Sequence, residues 1–340
     1  MLFALPGFAY VLAAASPLPL LAGALTGWTW NQGLAHRAYT WLGLGDERAA
    51  KRSLLLGTPV GVVLGALVAF LVSGTADRTT AFAAGQALYL GASTILLVRA
   101  RERALLLALL PMATGAVLTL LNSIPNTARL TLLLASLLTV TLLAVLEIMP
   151  RSYGLKGRGE LRDKPPHTRS QPTTQGPRLS SSFPYAVFGL ATGTLVLHAA
   201  LEDNLTAVIL TLGMGPAEYL LHHLRSAGTT ALRSSTTPTA FRRAATRTFL
   251  YCLTTYLLTL LTLALATGIS PTPLLLLGTV LWTALLLQSF GAILSTTAIC
   301  SVAALAQTFA PLTALTVYAI AATTQAALAC ALLGKATAHR

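Results

Sequence analysis

The chain has 340 residues, of which 54% are hydrophobic and only 10% are Asp, Glu, Lys or Arg. Soluble domains carry about a quarter charged residues, so this composition excludes a soluble enzyme, an extracellular disulfide-stabilised module and a disordered protein. The formal net charge is +13, and in so apolar a chain an excess of Lys and Arg is typical of cytoplasmic loops rather than of nucleic-acid binding.

Long apolar runs follow one another along almost the whole sequence. Because a helix of roughly 20 apolar residues crosses a bilayer core, we predict an all-α polytopic membrane protein with about eleven transmembrane helices in two lobes. The predicted helices are 3–27, 53–74, 79–98, 104–122, 130–149, 184–201, 205–222, 248–268, 274–294, 296–311 and 313–334.

The basic residues predict the orientation of these helices. If the first helix runs from outside to inside, all of the 23 Lys and Arg residues except Arg78 and Arg129 fall on the inner side. Cytoplasmic segments of membrane proteins are enriched in Lys and Arg. We therefore predict a multi-pass protein of the cell membrane with its N-terminus outside and its C-terminus in the cytoplasm.

A polar segment divides the chain into two predicted lobes. Residues 150–183 are rich in Pro, Gly, Ser, Thr and basic residues and have no apolar periodicity, so they cannot bury enough surface to form a packed element. We interpret them as a cytoplasmic linker rather than a nucleic-acid or lipid-binding module. The linker joins an N-terminal lobe of five helices (1–149) to a C-terminal lobe of six (184–340).

Each lobe contains one long basic stretch that we predict to be a cytoplasmic loop, at 31–53 and at 222–249. Their similar size and place suggest an internal repeat, which is the usual construction of secondary transporters. Three tryptophans near the first loop are typical of an interfacial aromatic belt: Trp28, Trp30 and Trp41. A row of small residues on the second helix predicts close helix packing: Gly57, Gly61 and Gly65.

The motifs of several enzyme classes are absent. The sequence has no clustered carboxylates that could hold Mg²⁺ and a diphosphate, no GxSxG or HExxH motif and no GxxxxGK[ST] loop. The three cysteines, Cys252, Cys300 and Cys330, lie in apolar runs and are predicted to be small core residues. We therefore predict no catalytic residue, no cofactor and no metal site.

The segment LGMGPAEYLLHHLRS contains the residues with the clearest functional potential. Gly213, Gly215 and Pro216 fall within one predicted helix, and we expect them to loosen it because Pro removes a backbone hydrogen bond. The helix break would make Glu218, two residues after Pro216, available to a cavity.

Glu218, His222 and Arg225 are the candidate substrate or coupling residues. An ionisable side chain within a membrane span is costly, so it faces protein or water by default. Glu218 and His222 share a helical face, and histidine titrates near neutral pH, which suggests a proton-titratable pair beside a substrate cavity. The simpler alternative places Glu218 near the membrane interface, where Arg225 or a basic loop residue neutralises it.

Two segments resemble the multidrug, oligosaccharidyl-lipid and polysaccharide exporter superfamily, the MATE-like flippases. Residues 41–71 (WLGLGDERAAKRSLLLGTPVGVVLGALVAFL) look like that family's loop and third helix. Residues 213–226 (GMGPAEYLLHHLRS), with FRRAATRTFL at 241–250, are similar to a segment of polysaccharide-export relatives. Family members have two six-helix lobes, and the topology here corresponds to their second through twelfth helices, which predicts that the first helix is absent.

The resemblance implies a transporter or flippase that moves a lipid-linked saccharide or another amphiphile by alternating access between two lobes. Its expected partners are membrane lipids and that substrate, without nucleic acid. The coupling acid of cation-driven relatives is not visible in this sequence. Two alternatives stay open: a non-transporting membrane subunit of a polysaccharide synthesis or secretion complex, with partners in that complex, and a membrane-embedded enzyme.

Overall fold

The computed structural model describes residues 17–99, 101–120, 125–149, 179–310 and 312–335, and within these ranges it contains helices and turns but no strand. The helices are α1 (Pro17–Gly43), α2 (Glu47–Ser73), α3 (Arg78–Val98), α4 (Glu102–Leu120), α5 (Asn126–Ile148), α6 (Leu179–Glu202), α7 (Asn204–Ser234), α8 (Pro238–Thr267), α9 (Pro271–Ser289), α10 (Ile293–Phe309) and α11 (Ala314–Lys335).

The prediction of an all-α membrane protein is confirmed. Seven of the described helices are long and apolar enough to cross a membrane, and together with a mean hydropathy of +0.70 they make the chain a multi-pass membrane protein. The others are shorter, more polar or only partly described. Most of the predicted linker, 150–178, lies outside the described residues, and its last five positions form the first turn of α6.

The first helix differs from its prediction. We predicted 3–27, whereas α1 begins at Pro17 and continues to Gly43; residues 3–16 lie outside the described part of the chain. The polar residues Asn31 and Gln32 lie beyond the predicted end at 27, and α1 continues through both of them. Those polar residues do not end the helix because protein, rather than lipid, surrounds this part of α1.

The two predicted basic loops are wrong. Residues 31–53 and 222–249 are almost entirely helical, and only three-residue turns separate α1 from α2 and α7 from α8. Asp46 accepts a hydrogen bond from the Ala49 amide (2.9 Å), and Thr237 accepts one from the Ala240 amide (3.2 Å), which caps the second helix of each hairpin. Basic residues mark where a chain leaves the bilayer, but a capped helix continues past that point.

The turn between α2 and α3 lies at the opposite end of α2 from the α1–α2 turn. Gly74 ends α2 in the left-handed conformation (φ 71°), and Asp77 caps α3 by accepting hydrogen bonds from the amides of Thr79 and Thr80. These amide donors hold the pKa of Asp77 below its usual range, because they stabilise the carboxylate. The cap therefore stays charged, and keeps its contribution to stability, until the pH falls through that lowered pKa.

The first half of the molecule, α1–α5, is built around α3. Helix α3 packs against α1, α2, α4 and α5, and two further contacts join α1 to α2 and α4 to α5. A Cβ added to Gly23 would lie 2.7 Å from both the Cβ of Ala83 and the carbonyl oxygen of Gly65. Only glycine therefore fits at this junction of α1, α2 and α3.

The predicted packing row on α2 is confirmed. Gly57, Gly61 and Gly65 are all buried, and α1 approaches them closely: the Trp30 indole lies against Gly61 and donates a hydrogen bond to the Gly57 carbonyl (2.7 Å). The aromatic-belt prediction is wrong for Trp28, which is buried at 4% exposure because α1 continues past it. Trp30 is half-buried against α2.

The second half, α6–α11, repeats the helix contacts of the first half. Each of the six packed pairs among α1–α5 has a counterpart six helices later, with α9 in the place of α3: α7–α8, α7–α9, α8–α9, α9–α10, α9–α11 and α10–α11. The register agrees as well. Gly23 of α1 contacts Gly65 of α2, and Gly213 of α7 contacts Tyr256 of α8. Gly65 and Tyr256 lie the same number of residues from the start of their helices.

One face of the molecule, here called the hairpin face, carries both three-residue hairpin turns. Arg99 pairs with Glu47 beside the α1–α2 turn, and Arg101 Nε lies 2.8 Å from Glu147 Oε1 at the end of α5. Helix α6 starts on this face and α7 returns to it, which brings the α7–α8 turn there too. The paired acids thus belong to the ends of the helices rather than to their middles.

Candidate functional site

The predicted helix break at Gly213, Gly215 and Pro216 does not interrupt the backbone of α7. Helix α7 runs without interruption from Asn204 to Ser234, so its backbone stays helical at Gly213, Gly215 and Pro216. A Cβ added to Gly213 would lie 2.6 Å from Leu260 Cδ2, so this glycine allows α8 to approach α7. One turn further on, the Trp282 indole of α9 donates to the Ala217 carbonyl (3.4 Å).

Of the three candidate residues that follow, the structure describes the side chains of two, and neither lies in a buried site. The side chain of Glu218 lies outside the described residues. His222 and Arg225 are both exposed, and they lie three residues apart on the outer surface of α7 near the hairpin face. His223 is also exposed, with its ring 6.4 Å from that of Tyr251.

The structure instead shows a junction that the sequence analysis missed: the seam between α1 and α6. Along this seam α1 of the first half and α6 of the second half are in extensive contact. The two helices run antiparallel. At one end Leu21 clusters with Ala200; at the other, on the hairpin face, a Cβ added to Gly33 would lie 3.6 Å from the Cβ of Ala186.

Glycines of α6 allow this close approach. A Cβ added to Gly189 would lie 2.9 Å from Gln32 Cγ and 3.2 Å from Thr29 Cα, and one added to Gly193 would collide with Leu25. The spacing of Gly189 and Gly193 is the small-xxx-small signal that is typical of close helix pairs in membranes. This signal was present in the sequence, but nothing in it indicated the partner helix.

A polar cluster closes the seam at the hairpin face. His36 Nδ1 lies 3.1 Å from Ser182 Oγ, and the His36 ring stacks on Tyr185 with the centroids 3.8 Å apart and 19° between the planes. His36 falls in the wrongly predicted loop, and Ser182 falls in the segment assigned to the linker. Nothing in the sequence therefore indicated that His36 and Ser182 lie together.

The polarity of α1 fits its position between three other helices. It packs against α2, α3 and α6, and Asn31, only 3% exposed, donates to the Gly27 carbonyl (2.8 Å). Polar side chains in a membrane protein are stable when they face protein. Helix α1 can therefore be buried without reaching the apolarity of a lipid-facing span.

A second buried polar cluster ties α9, α10 and α11 together. Thr283 Oγ1 donates to Gln325 Oε1 (2.7 Å), and Gln325 Nε2 lies 3.1 Å from Cys300 Sγ. Thr283, Gln325 and Cys300 are all fully buried. Thr283 Oγ1 also lies 2.6 Å from the Thr279 carbonyl oxygen of its own helix, whereas Gln325 contacts partners on two other helices, α9 and α10. The Gln325 amide thus joins the three helices.

Metal-binding chemistry finds no support in the described residues, where no group of three or more His, Cys, Asp or Glu side chains is close enough to hold an ion. Cys252 and Cys300 are buried core residues, as predicted. Cys330 is exposed, so the core prediction is wrong for it. This residue lies on the outward face of α11, where a small apolar side chain suits lipid as well as protein.

Comparisons of the chain with protein-family models, with curated proteins and with solved structures give no match. The resemblance to MATE-like flippases therefore stays a prediction.

Proposed function

We propose that the chain is a membrane transporter of the flippase type, which moves a lipid-linked saccharide or another amphiphile by alternating access between two helical lobes. The observation that carries the proposal is the repetition of six helix contacts between α1–α5 and α7–α11. Parallel repeats joined by one junction are a common transporter architecture. An even offset of six helices makes the repeats parallel, with their symmetry axis along the membrane normal.

In the proposed topology all eleven described helices cross the membrane and the hairpin face is cytoplasmic. Helices α1 and α7 are equivalent in the two repeats: α1 falls below the apolarity of a lipid-facing span within the described residues, and α7 carries Glu218, His222 and His223 in its sequence. A transporter needs such helices, because a substrate with a polar headgroup crosses the bilayer only along polar protein surface.

Cysteine labelling tests this orientation. In a Cys330→Ser background, Thr236→Cys places a thiol in the α7–α8 turn and Thr75→Cys places one in the α2–α3 turn, and both positions are exposed. We expect a membrane-impermeant maleimide added to intact cells to label position 75 and to label position 236 only after lysis. The reverse pattern would invert the whole topology.

The seam provides a direct test of transport. The Gly33 and Ala186 positions would bring their Cβ atoms to 3.6 Å, close to the roughly 3.8 Å of a disulfide. We expect oxidation of a Gly33→Cys/Ala186→Cys variant to stop the flipping of a fluorescent polyprenyl-diphosphate saccharide in proteoliposomes, because the halves can no longer separate on the hairpin face. Reduction should restore it.

The matched controls are the two single-cysteine variants, which experience the same oxidation without forming the bridge. Equal activity of the bridged and reduced forms would contradict alternating access at this seam. No flipping by the wild-type protein across a panel of lipid-linked saccharides and phospholipids would contradict the transporter proposal itself.

A non-transporting subunit of a polysaccharide synthesis or secretion complex is the second candidate. The observation that favours it is the continuity of the α1–α6 seam, which is packed from Leu21 near one end to His36 at the other. Such a subunit would keep its complex active whether or not position 33 is bridged to position 186. Enzymatic activity has the least support, because the described side chains form no cluster with catalytic geometry.

Glu218 is the coupling candidate in this proposal, since no Asp or Glu follows it in the remaining sequence. We expect Glu218→Gln to preserve insertion and abundance while abolishing transport or shifting its pH dependence, because the amide cannot release a proton. Transport is measured in proteoliposomes over a range of pH, with Tyr219→Phe at the exposed neighbouring position as the control. Unchanged transport by the Gln variant would make Glu218 an interfacial anchor.

A further inference from the structure

The charge of the second half is concentrated on one helical hairpin. No Asp or Glu occurs between 219 and 340, while five arginines lie within 225–247. All five are exposed, and within the described residues none lies in an ion pair. We call the surface formed by these residues the arginine hairpin: Arg225, Arg233, Arg242, Arg243 and Arg247.

Packing between α7 and α8 turns these arginines outward. Leu221 and Leu224 of α7 and Phe241 and Ala245 of α8 are all buried at 8% exposure or less. Because apolar residues occupy the inner stripe of both helices, the basic residues must occupy the outer surface. The hairpin is thus a rigid, packed element rather than a flexible basic loop.

The length of α8 places most of the arginines at the depth of lipid headgroups. Helix α8 has 30 residues, or about 45 Å at 1.5 Å per residue, whereas its apolar part, 248–267, covers the roughly 30 Å of a bilayer core. Arg247 therefore lies at the edge of the core. Arg242 and Arg243 follow within about 8 Å along the helix, inside the headgroup layer, and the antiparallel Arg225 lies at the level of Arg247.

The equivalent hairpin of the first half has a different charge pattern. The start of α2 carries Arg48, Lys51 and Arg52, but Asp46 and Glu47 lie beside them, and Glu47 is paired with Arg99. Two hairpins with the same fold and the same membrane depth thus differ in whether their positive charge is compensated. This pair gives the chain its own internal control.

We propose that the arginine hairpin binds the phosphate groups of anionic phospholipids in the leaflet on the hairpin face. Guanidinium groups bind phosphate oxygens in a bidentate manner, and basic residues at headgroup depth attract anionic lipids. Arg225, Arg242, Arg243 and Arg247 lie at the base of the hairpin beside the membrane. The turn itself, 235–237, is uncharged and Arg233 is the one arginine beside it, so most of the charge faces lipid rather than a soluble polyanion approaching from the tip.

The test uses the full-length protein in detergent, titrated with phosphatidylglycerol or with phosphatidylcholine while thermal unfolding is followed. A ligand that binds the folded state raises the unfolding temperature. We expect phosphatidylglycerol, but not phosphatidylcholine, to stabilise the wild-type protein. The Arg242→Gln/Arg243→Gln/Arg247→Gln variant should require about tenfold more phosphatidylglycerol or more, and the Arg48→Gln/Lys51→Gln/Arg52→Gln variant should respond like the wild type.

Three outcomes would overturn the proposal: no preference for phosphatidylglycerol in the wild type, an equal loss in both triple variants, or a response to inorganic phosphate or to an RNA oligonucleotide that phosphatidylglycerol does not compete with. If the triple variant does not fold, the single variants Arg243→Gln and Arg52→Gln repeat the comparison. Native mass spectrometry of lipids retained by each variant provides an independent measurement.

Discussion

Replacing Trp282 with alanine is expected to lower the free energy of unfolding by about 3–5 kcal/mol, the range for truncating a large aromatic residue in a packed core. Trp282 is 1% exposed, and its ring centroid lies 5.8 Å from that of Phe249 and 6.3 Å from that of Tyr256. It also donates to the Ala217 carbonyl on α7. Its loss would leave a cavity where α7, α8 and α9 meet.

Thermal and chemical unfolding of the purified protein would measure this effect. Trp282→Phe keeps most of the ring packing and removes the indole donor, so it should cost much less than the alanine variant. Comparable losses in both would place the stabilisation in the hydrogen bond rather than in packing. If the Trp282→Ala variant unfolded at the same midpoint as the wild type, Trp282 could not pack where α7, α8 and α9 meet.

Replacing Gly189 with leucine is expected to disrupt the junction between the two halves. Even a Cβ at this position would lie 3.2 Å from the Thr29 Cα, and backbone cannot move aside as a flexible side chain does. Overpacking usually costs about 1–3 kcal/mol and occasionally more, and a leucine against backbone belongs at the upper end. Helix association in membranes depends on close packing, so we expect loss of the α1–α6 contact.

Gly228→Leu is the matched control, because a side chain at this helical position of α7 would meet nothing within 4 Å. The measurement is the yield of monodisperse protein in size-exclusion chromatography, together with its unfolding midpoint. Equal behaviour of the two variants would mean that α1 and α6 are not in contact. In that case the two halves would need another junction.

Some features of this fold could be predicted from single segments. Helices α3 and α9 were predicted close to their observed bounds, and so were the far ends of α2 and α8, whereas α2 begins earlier, at Glu47, and α8 at Pro238. The apolar runs were found because such a run must be helical to satisfy its backbone in lipid. The packing row of α2 was visible for a similar reason. Small residues four apart on one helix have few other uses.

The candidate site depended on information that no single segment contains. His36 and Ser182 lie 146 positions apart in the sequence, and each occupies a stretch that polarity alone assigned to a loop or a linker. Gly189 is informative only once α1 is known to be its partner. The same holds for Thr283 and Gln325, whose hydrogen bond joins two helices of the second half.

The amino-acid pattern alone was enough to predict an all-α membrane protein and the places of most of its helices, because the bilayer imposes length and apolarity on each span separately. That α1 remains helical through Asn31 and His36 follows from how the helices pack. Neighbouring helices surround those residues and remove the cost that lipid would impose. The repeat of helix contacts and the α1–α6 seam were likewise decided by tertiary packing, since both are relations between distant segments that composition and periodicity do not encode.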